Sequence, residues 1–270
     1  MSAKTDARTD WAGVAAAIAR AERGETVLGV AVIAPTGERF GHNENRRFVA
    51  ASTVKVPLMI ELFRRIDAGE RGLADTYRLR AEDRAPGSGV MLHLHEGMEF
   101  TFNDLVYLMI SISDNTATNI LIDEVGMEAV NATMRGLGMS GSGLRRKMQG
   151  RAAAAEKDEN WATPNDYAKV IAALLDDEAA SSASCGAMIA MLEKQQNERR
   201  IARHLPKDGR PRWGSKTGSV PGVCNDVGFI MTKRGALILS IFCHFPPDAH
   251  AGEEIIGDIS RAAWEAAGLD

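Results

Sequence analysis

Two serines and two lysines stand in strings that suit acyl transfer: Ser52-Thr53-Val54-Lys55, Ser113-Asp114-Asn115 and Lys216-Thr217-Gly218. A lone Ser-x-x-Lys carries little, because ordinary residue usage gives roughly one match in a chain of this length. The two contiguous tripeptides are each expected on the order of a few hundredths of a time. In this order the strings supply a hydroxyl nucleophile, a lysine to take its proton, a second hydroxyl and a second cation. That equipment opens an amide or ester through a covalent acyl-enzyme.

Ser52 precedes an amphipathic helical pattern, so one reading makes it an N-cap that satisfies free backbone N–H groups. Lys55 lies one helical turn later on the same face. Val54, Val56, Leu58 and Met59 predict a helix entering the core, where a lysine ammonium is desolvated and loses its proton more easily. A neutral amine within reach of a serine hydroxyl is a competent general base. The helix N-terminus adds N–H donors for an oxyanion on the attacked carbonyl.

Ser113-Asp114-Asn115 falls at a break between apolar helices, where serine or aspartate can open the second helix. Placed between two core helices, the triplet points into a cleft. Ser113 can then pass a proton to a leaving nitrogen, and Asn115 can bind a substrate amide or hold Lys55. Lys216-Thr217-Gly218 falls in a predicted strand, where the plain reading is a solvent-facing lysine beside a glycine bulge. The functional reading has Lys216 and Thr217 bind an anionic group such as a carboxylate. Gly218 lets substrate approach the strand edge, and the backbone N–H of Ser219 joins that of Ser52 as an oxyanion donor.

These residues need a scaffold. Asp10 predicts the cap of a first helix ending near Arg23. Val27–Ile33 reads as a buried strand, and Pro35-Thr36-Gly37 turns it into a second strand over Arg39–Phe48. From Thr53 to about Glu193 the period is helical: Val56–Ile66, Leu105–Ser111, Thr116–Val125, Glu128–Leu137, Asp166–Leu175 and Ala183–Leu192. Strands return at Trp213–Ser219, Asp226–Met231 and Ala236–Phe245, and a helix over Glu253–Ala267 ends the chain. Neither strand set is stable alone. The pattern predicts an α+β fold of two lobes: a five-stranded antiparallel sheet backed by the terminal helices, over 1–50 and 195–270, and an inserted all-helical lobe over 51–194.

The 270 residues are 45% hydrophobic and 25% charged, enough for one large core. A net charge of −4 argues against a nucleic-acid groove or an anionic membrane surface. The pairs Arg46-Arg47, Arg64-Arg65, Arg145-Arg146 and Arg199-Arg200 read as solvated positions. No apolar run reaches the length of a membrane span. Met1–Arg8 has no leader pattern, so the chain as written reads as cytoplasmic, or as periplasmic or secreted if a leader has been trimmed. Cys185, Cys224 and Cys243 fit a reducing compartment, and none has metal spacing. His93 and His95 read as surface residues, and no metal or cofactor is expected.

The three strings resemble those of the class A serine β-lactamases and related penicillin-recognising hydrolases. The intervals of 61 residues (113 − 52) and 103 residues (216 − 113) fit that layout, and the resemblance covers almost the whole chain. It implies that Ser52 is acylated, that Lys55 and Ser113 shuttle the proton, and that Lys216 and Thr217 hold a carboxylate. The implied substrate is a small β-lactam, ester or short peptide with an anionic group.

Class A enzymes also carry an Arg-x-Glu-x-x-Leu-Asn loop whose glutamate activates the deacylating water. The equivalent stretch here is Leu144–Thr163. Anchored on Arg146, the glutamate position falls at Met148, and no Leu-Asn follows. Glu156 and Glu159 are the acidic candidates left, in a charged run that reads as a solvated face. The chain thus resembles the branch that lacks this glutamate, which implies a β-lactamase-like acylation with slow turnover. The alternatives are a D-alanyl-D-alanine peptidase-like or esterase-type hydrolase, and a sensor that stays acylated.

Overall fold

The computed structural model describes residues 9–268. The residues on which the expectation of a missing leader rests, 1–8, lie outside them. α1 (Ala12–Ala21) starts later than expected, with Trp11 and not Asp10 at its N-cap position and no side-chain cap from Trp11, although Asp10 Oδ1 accepts the Ala12 N–H at 2.9 Å. The apolar run Val27–Ile33 becomes β1, and β2 (Arg39–His42) pairs with it. The second strand is shorter than Arg39–Phe48. Asn43 turns the chain at φ 46°, and its Nδ2 donates to Leu28 O at 2.9 Å. Phe48–Val49 then forms β3, away from the main sheet. Gly29 makes room for the Phe48 ring, whose Cε2 would lie 2.3 Å from a Cβ at that position.

α2 (Lys55–Asp67) follows a single 3-10 turn over Ala51–Val54. The segment after it is not purely helical. β4 (Thr76–Arg78) and β5 (Glu99–Thr101) form a small hairpin, and glycines and Pro86 break the helical period between them. Next come α3 (Phe102–Ser111), α4 (Asn115–Val125) and α5 (Met127–Gly136). A long loop then leads to β6 (Trp161–Ala162), which pairs with β3, followed by α6 (Pro164–Leu175) and α7 (Ser182–Leu192). Thr163 caps α6 through the Asp166 N–H.

β7 (Trp213–Val220), β8 (Val223–Thr232) and β9 (Gly235–His244) precede the last helix, α8 (Ala249–Ala266). The main sheet is antiparallel in the order β2-β1-β9-β8-β7, so early and late strands interlock and β7 is an edge. α1 and α8 cover one face, packing Val14, Ile18, Ile256 and Ile259 on Leu28, Val30, Leu239 and Ile241. The other face joins Phe48, Tyr167, Phe229 and Phe242 to the core of the helical segment. The result is the two-lobed α+β arrangement. Among the described residues, no helix is long and apolar enough to cross a membrane.

Candidate active site

Every residue of α2 from Lys55 to Phe63 is buried, because α3, α4, α5 and α7 surround this helix. Its first residue therefore carries an amine into the interior, and Lys55 is 0% exposed. Lys55 Nζ donates to Ser113 O at 2.7 Å, Ser113 Oγ at 3.0 Å and Asn115 Oδ1 at 2.9 Å. Burial holds its pKa well below the usual lysine value, and the nearby Lys216 cation lowers it further against the pull of Asp114.

Ser52 sits in the 3-10 turn just before this helix. Neither that turn nor α2 has a side-chain cap, so the N-cap reading of Ser52 does not hold. Ala51 is left-handed at φ 47°, and Ser113 is left-handed at φ 60°. Such backbone costs of order 1–3 kcal/mol at a non-glycine residue and persists where surrounding contacts impose it. The residue that opens α4 is Asp114, whose Oδ1 accepts the Ala117 N–H at 3.0 Å. Its Oδ2 accepts the N–H groups of Val90 and Met91 at 2.6 and 2.8 Å. The aspartate thus fastens the 86–91 loop against the helix start.

Lys216 is not solvent-facing: it is 0% exposed in β7, and its Nζ donates to Thr217 O at 2.9 Å. Burial pushes its pKa down to about 7, opposed by Asp226 and reinforced by Arg200. The space left by Gly218 is taken by the chain itself, not by substrate. A Cβ there would lie 2.9 Å from Ala50 O and 3.1 Å from Ser52 N, so glycine lets β7 lie against the turn that holds Ser52.

Two adjoining compartments meet at this point. One, of about 240 Å³, is lined by Ser52, Asn115, Met148, Asn160 and Ser219, with Ser88 at its edge. The other, of about 780 Å³, is lined by Ser113, Thr217, Ser219, Arg200 and Glu253, again with Ser88. Between them the three sequence strings reach one cleft. A pocket for a drug-sized ligand measures about 300–1,000 Å³, so the two together have room for one.

The 138–163 loop forms the far wall. Arg146 Nη2 lies 2.9 Å from Glu159 Oε1, with the side chains 15% and 5% exposed. Glu159 also accepts the N–H groups of Ala153 and Asn160 at 2.6 and 2.8 Å. The solvated reading therefore fails for Glu159 and for Arg146, although Glu156 is exposed. Met148 is buried with both backbone groups held by one side chain: its N–H donates to Asn119 Oδ1 at 2.8 Å, and its O accepts from Asn119 Nδ2 at 3.0 Å. Sequence reasoning missed Asn119, although it stands four residues after Asn115 on the same face of α4.

It also missed Arg200, taken with Arg199 as solvated. Arg199 is exposed, but Arg200 is buried beside Ser219. Arg64 and Arg65 are half-buried, donating to Ala179 O and to Val125 O. His93 and His95 are exposed, as expected. The three cysteines are free and buried. Among the described residues, no group of three or more His, Cys, Asp or Glu could hold a metal ion.

Residues 13–267 match the family model described as the β-lactamase enzyme family. A solved β-lactamase from Sphaerobacter thermophilus DSM 20745 is 60% identical, with a TM-score of 0.95 over 97% of this chain and 99% of that one. An ancestral (GNCA) class A β-lactamase is 28% identical, with a TM-score of 0.85 over 94% and 98% of the two chains. The β-lactamase of Rhodobacter capsulatus is 29% identical over 84% of this chain and 78% of its own length. The chain belongs to the β-lactamase enzyme family and is a class A-like serine hydrolase.

Proposed function

We propose that the protein opens β-lactam amides through an acyl-enzyme at Ser52 and releases the product slowly. The observation that carries this reading is the buried Lys55 amine, bonded to Ser113 and Asn115 beside the Ser52 turn. Ser52 Oγ attacks the carbonyl carbon, and its proton passes to the Lys55 amine, which in its neutral form keeps two of its three donated bonds and offers its lone pair. The tetrahedral oxyanion forms against the backbone N–H groups of Ser52 and Ser219. As the C–N bond breaks, the proton passes from Lys55 through Ser113 Oγ to the leaving nitrogen. Asn115 holds Lys55 through Oδ1 and the Pro86 carbonyl through Nδ2, so it would have to give up the Pro86 bond to meet a substrate amide, while Lys216 and Thr217 take the carboxylate.

Slow release follows from Met148, a thioether at the wall where a base would be needed. A missing general base costs about 10²–10⁴ in rate. Glu159 offers no replacement, since its carboxylate is spent on Arg146 and two backbone N–H groups. The deciding experiment mixes the protein with a chromogenic cephalosporin and follows colour and intact mass together. A burst of one equivalent with an accumulating adduct, then slow steady colour, is expected. Fast colour without an adduct would overturn slow release. Neither colour nor adduct would overturn the β-lactam reading and leave the ester or peptide substrates, to be tried with p-nitrophenyl esters.

The Lys216 pKa of about 7 gives a pH prediction. Below that value the ammonium is charged and attracts a carboxylate; above it the charge is lost. KM for an anionic cephalosporin should therefore rise as pH climbs through about 7, while KM for a neutral ester stays flat. Parallel pH profiles on the two substrates check this, and a rise common to both would rule Lys216 out as its source.

A further inference from the structure

Arg200 lies buried under the end of β7, while its neighbour Arg199 reaches into solvent. Its Nη1 donates to Gly218 O at 3.2 Å and Asn225 O at 2.6 Å, and its Nη2 donates to Ser219 Oγ at 2.6 Å. Gly218 and Asn225 are partners across β7 and β8, so one guanidinium ties both strands together where the edge strand reaches the cleft. The residue is itself fastened. Ile201 N–H donates to Asp226 Oδ2 at 3.1 Å, and Arg200 Nε lies 3.7 Å from Glu253 Oε1.

We infer that Arg200 is a positioning residue that fixes the Ser219 end of β7 and so aims the Ser219 N–H at the acylation site. The inference rests on the proposed role of that N–H as an oxyanion donor. A guanidinium offers five donors in a rigid planar fork. Here the Nη1–Nη2 edge, the one suited to clasping a carboxylate, is turned onto strand acceptors. Asp226 and Glu253 supply the negative charge that a buried cation needs. Burial pushes the Asp226 carboxyl up to about 6, with Arg200 drawing it back down, so the countercharge is in place at neutral pH.

A substrate-binding arginine and a positioning arginine predict different losses. The test compares acylation of the full-length protein by an anionic chromogenic cephalosporin and by a neutral p-nitrophenyl ester. Arg200→Met should lower the acylation rate about 10- to 100-fold, since losing an oxyanion donor outright costs about 10²–10³. The factor should be the same for both substrates, with KM for the cephalosporin little changed. Arg200→Lys should not rescue the rate, because a point charge cannot bridge Gly218, Asn225 and Ser219.

A loss confined to the anionic substrate, seen as raised KM and restored by Arg200→Lys, would overturn the inference. Ser219→Ala removes one anchor without disturbing the buried charges, and serves if Arg200→Met does not fold. It should slow both acylations by a similar few-fold factor; an unchanged rate overturns the inference. A wild-type protein that forms no adduct with either substrate would overturn the parent reading, and the inference with it. Wild-type acylation with an unaffected Arg200→Met overturns the inference alone.

Discussion

Ser52→Ala gives a folded protein that no longer takes up a β-lactam covalently. The change removes the one hydroxyl proposed to bond to substrate and nothing that holds the fold. A serine at an N-cap loses about 1 kcal/mol of stability on conversion to alanine. The Ser52 side chain caps neither the 3-10 turn nor α2, so the cost should stay within about 0.5 kcal/mol, as for substitutions away from structural features. Intact mass after incubation with a penicillin, together with thermal unfolding of both proteins, reads the two effects separately. An adduct that persists in this variant would sink the assignment of the nucleophile. A large loss of stability would instead restore the cap reading.

Met148→Glu should shorten the life of the acyl-enzyme by about 10²–10⁴, the usual worth of a positioned general base. Although the Met148 side chain packs into the main hydrophobic core, Asn119 grips the backbone on both sides and Arg146–Glu159 closes the loop separately, so the loop should keep its course. The new carboxylate would enter the same compartment that Ser52 lines. Its burial disfavours the charged form, so its pKa is raised and deacylation should fall as pH drops through that value. The variant should be less stable by about 1–3 kcal/mol, the cost of burying a polar group that lacks a full set of partners. Decay of the mass adduct after removing free penicillin measures the gain. An unchanged adduct lifetime in a folded variant would show that the loop does not aim residue 148 at the ester.

What the chain shows on its surface and what it hides divide along a physical line. The strands Val27–Ile33 and Gly235–His244 were readable because both are apolar runs buried on both faces. The helix starts at Asn115 and Pro164 were near those expected, because Asp114 and Thr163 are caps whose chemistry is local. The three site strings were legible as strings. Their convergence depended on β7 lying against the 51–54 turn, and only the glycine at 218 hinted at that contact.

The hidden parts are those whose partners lie far along the chain. Arg200 resembles Arg199 in sequence, yet only one faces Gly218 and Asn225. Glu159 sits in a charged run like that of a solvated face, and its burial depends on Arg146. The β4–β5 hairpin was missed because strands of three residues are too short to set up a period. Phe48 was assigned to the preceding strand because the turn at Asn43 needs a left-handed asparagine, which composition does not announce.

The strand order carries a consequence in time as well as in space. β1 lies between β2 and β9, and Val27 pairs with His244, so the first strand made waits for the last. During synthesis the helical segment emerges complete, whereas the sheet cannot close until nearly the whole chain has left the ribosome. Contacts of such long sequence separation form slowly, and the edge of β1 that β9 will cover stays exposed in the interval, although β2 pairs the other edge. The turn bearing Ser52 is held early beside β6, where Ala50 N–H donates to Asn160 O at 2.7 Å, but lacks its contact with β7 until Gly218 arrives. If Ser52 is the nucleophile, a nascent chain carries it long before β7 arrives to complete the candidate site.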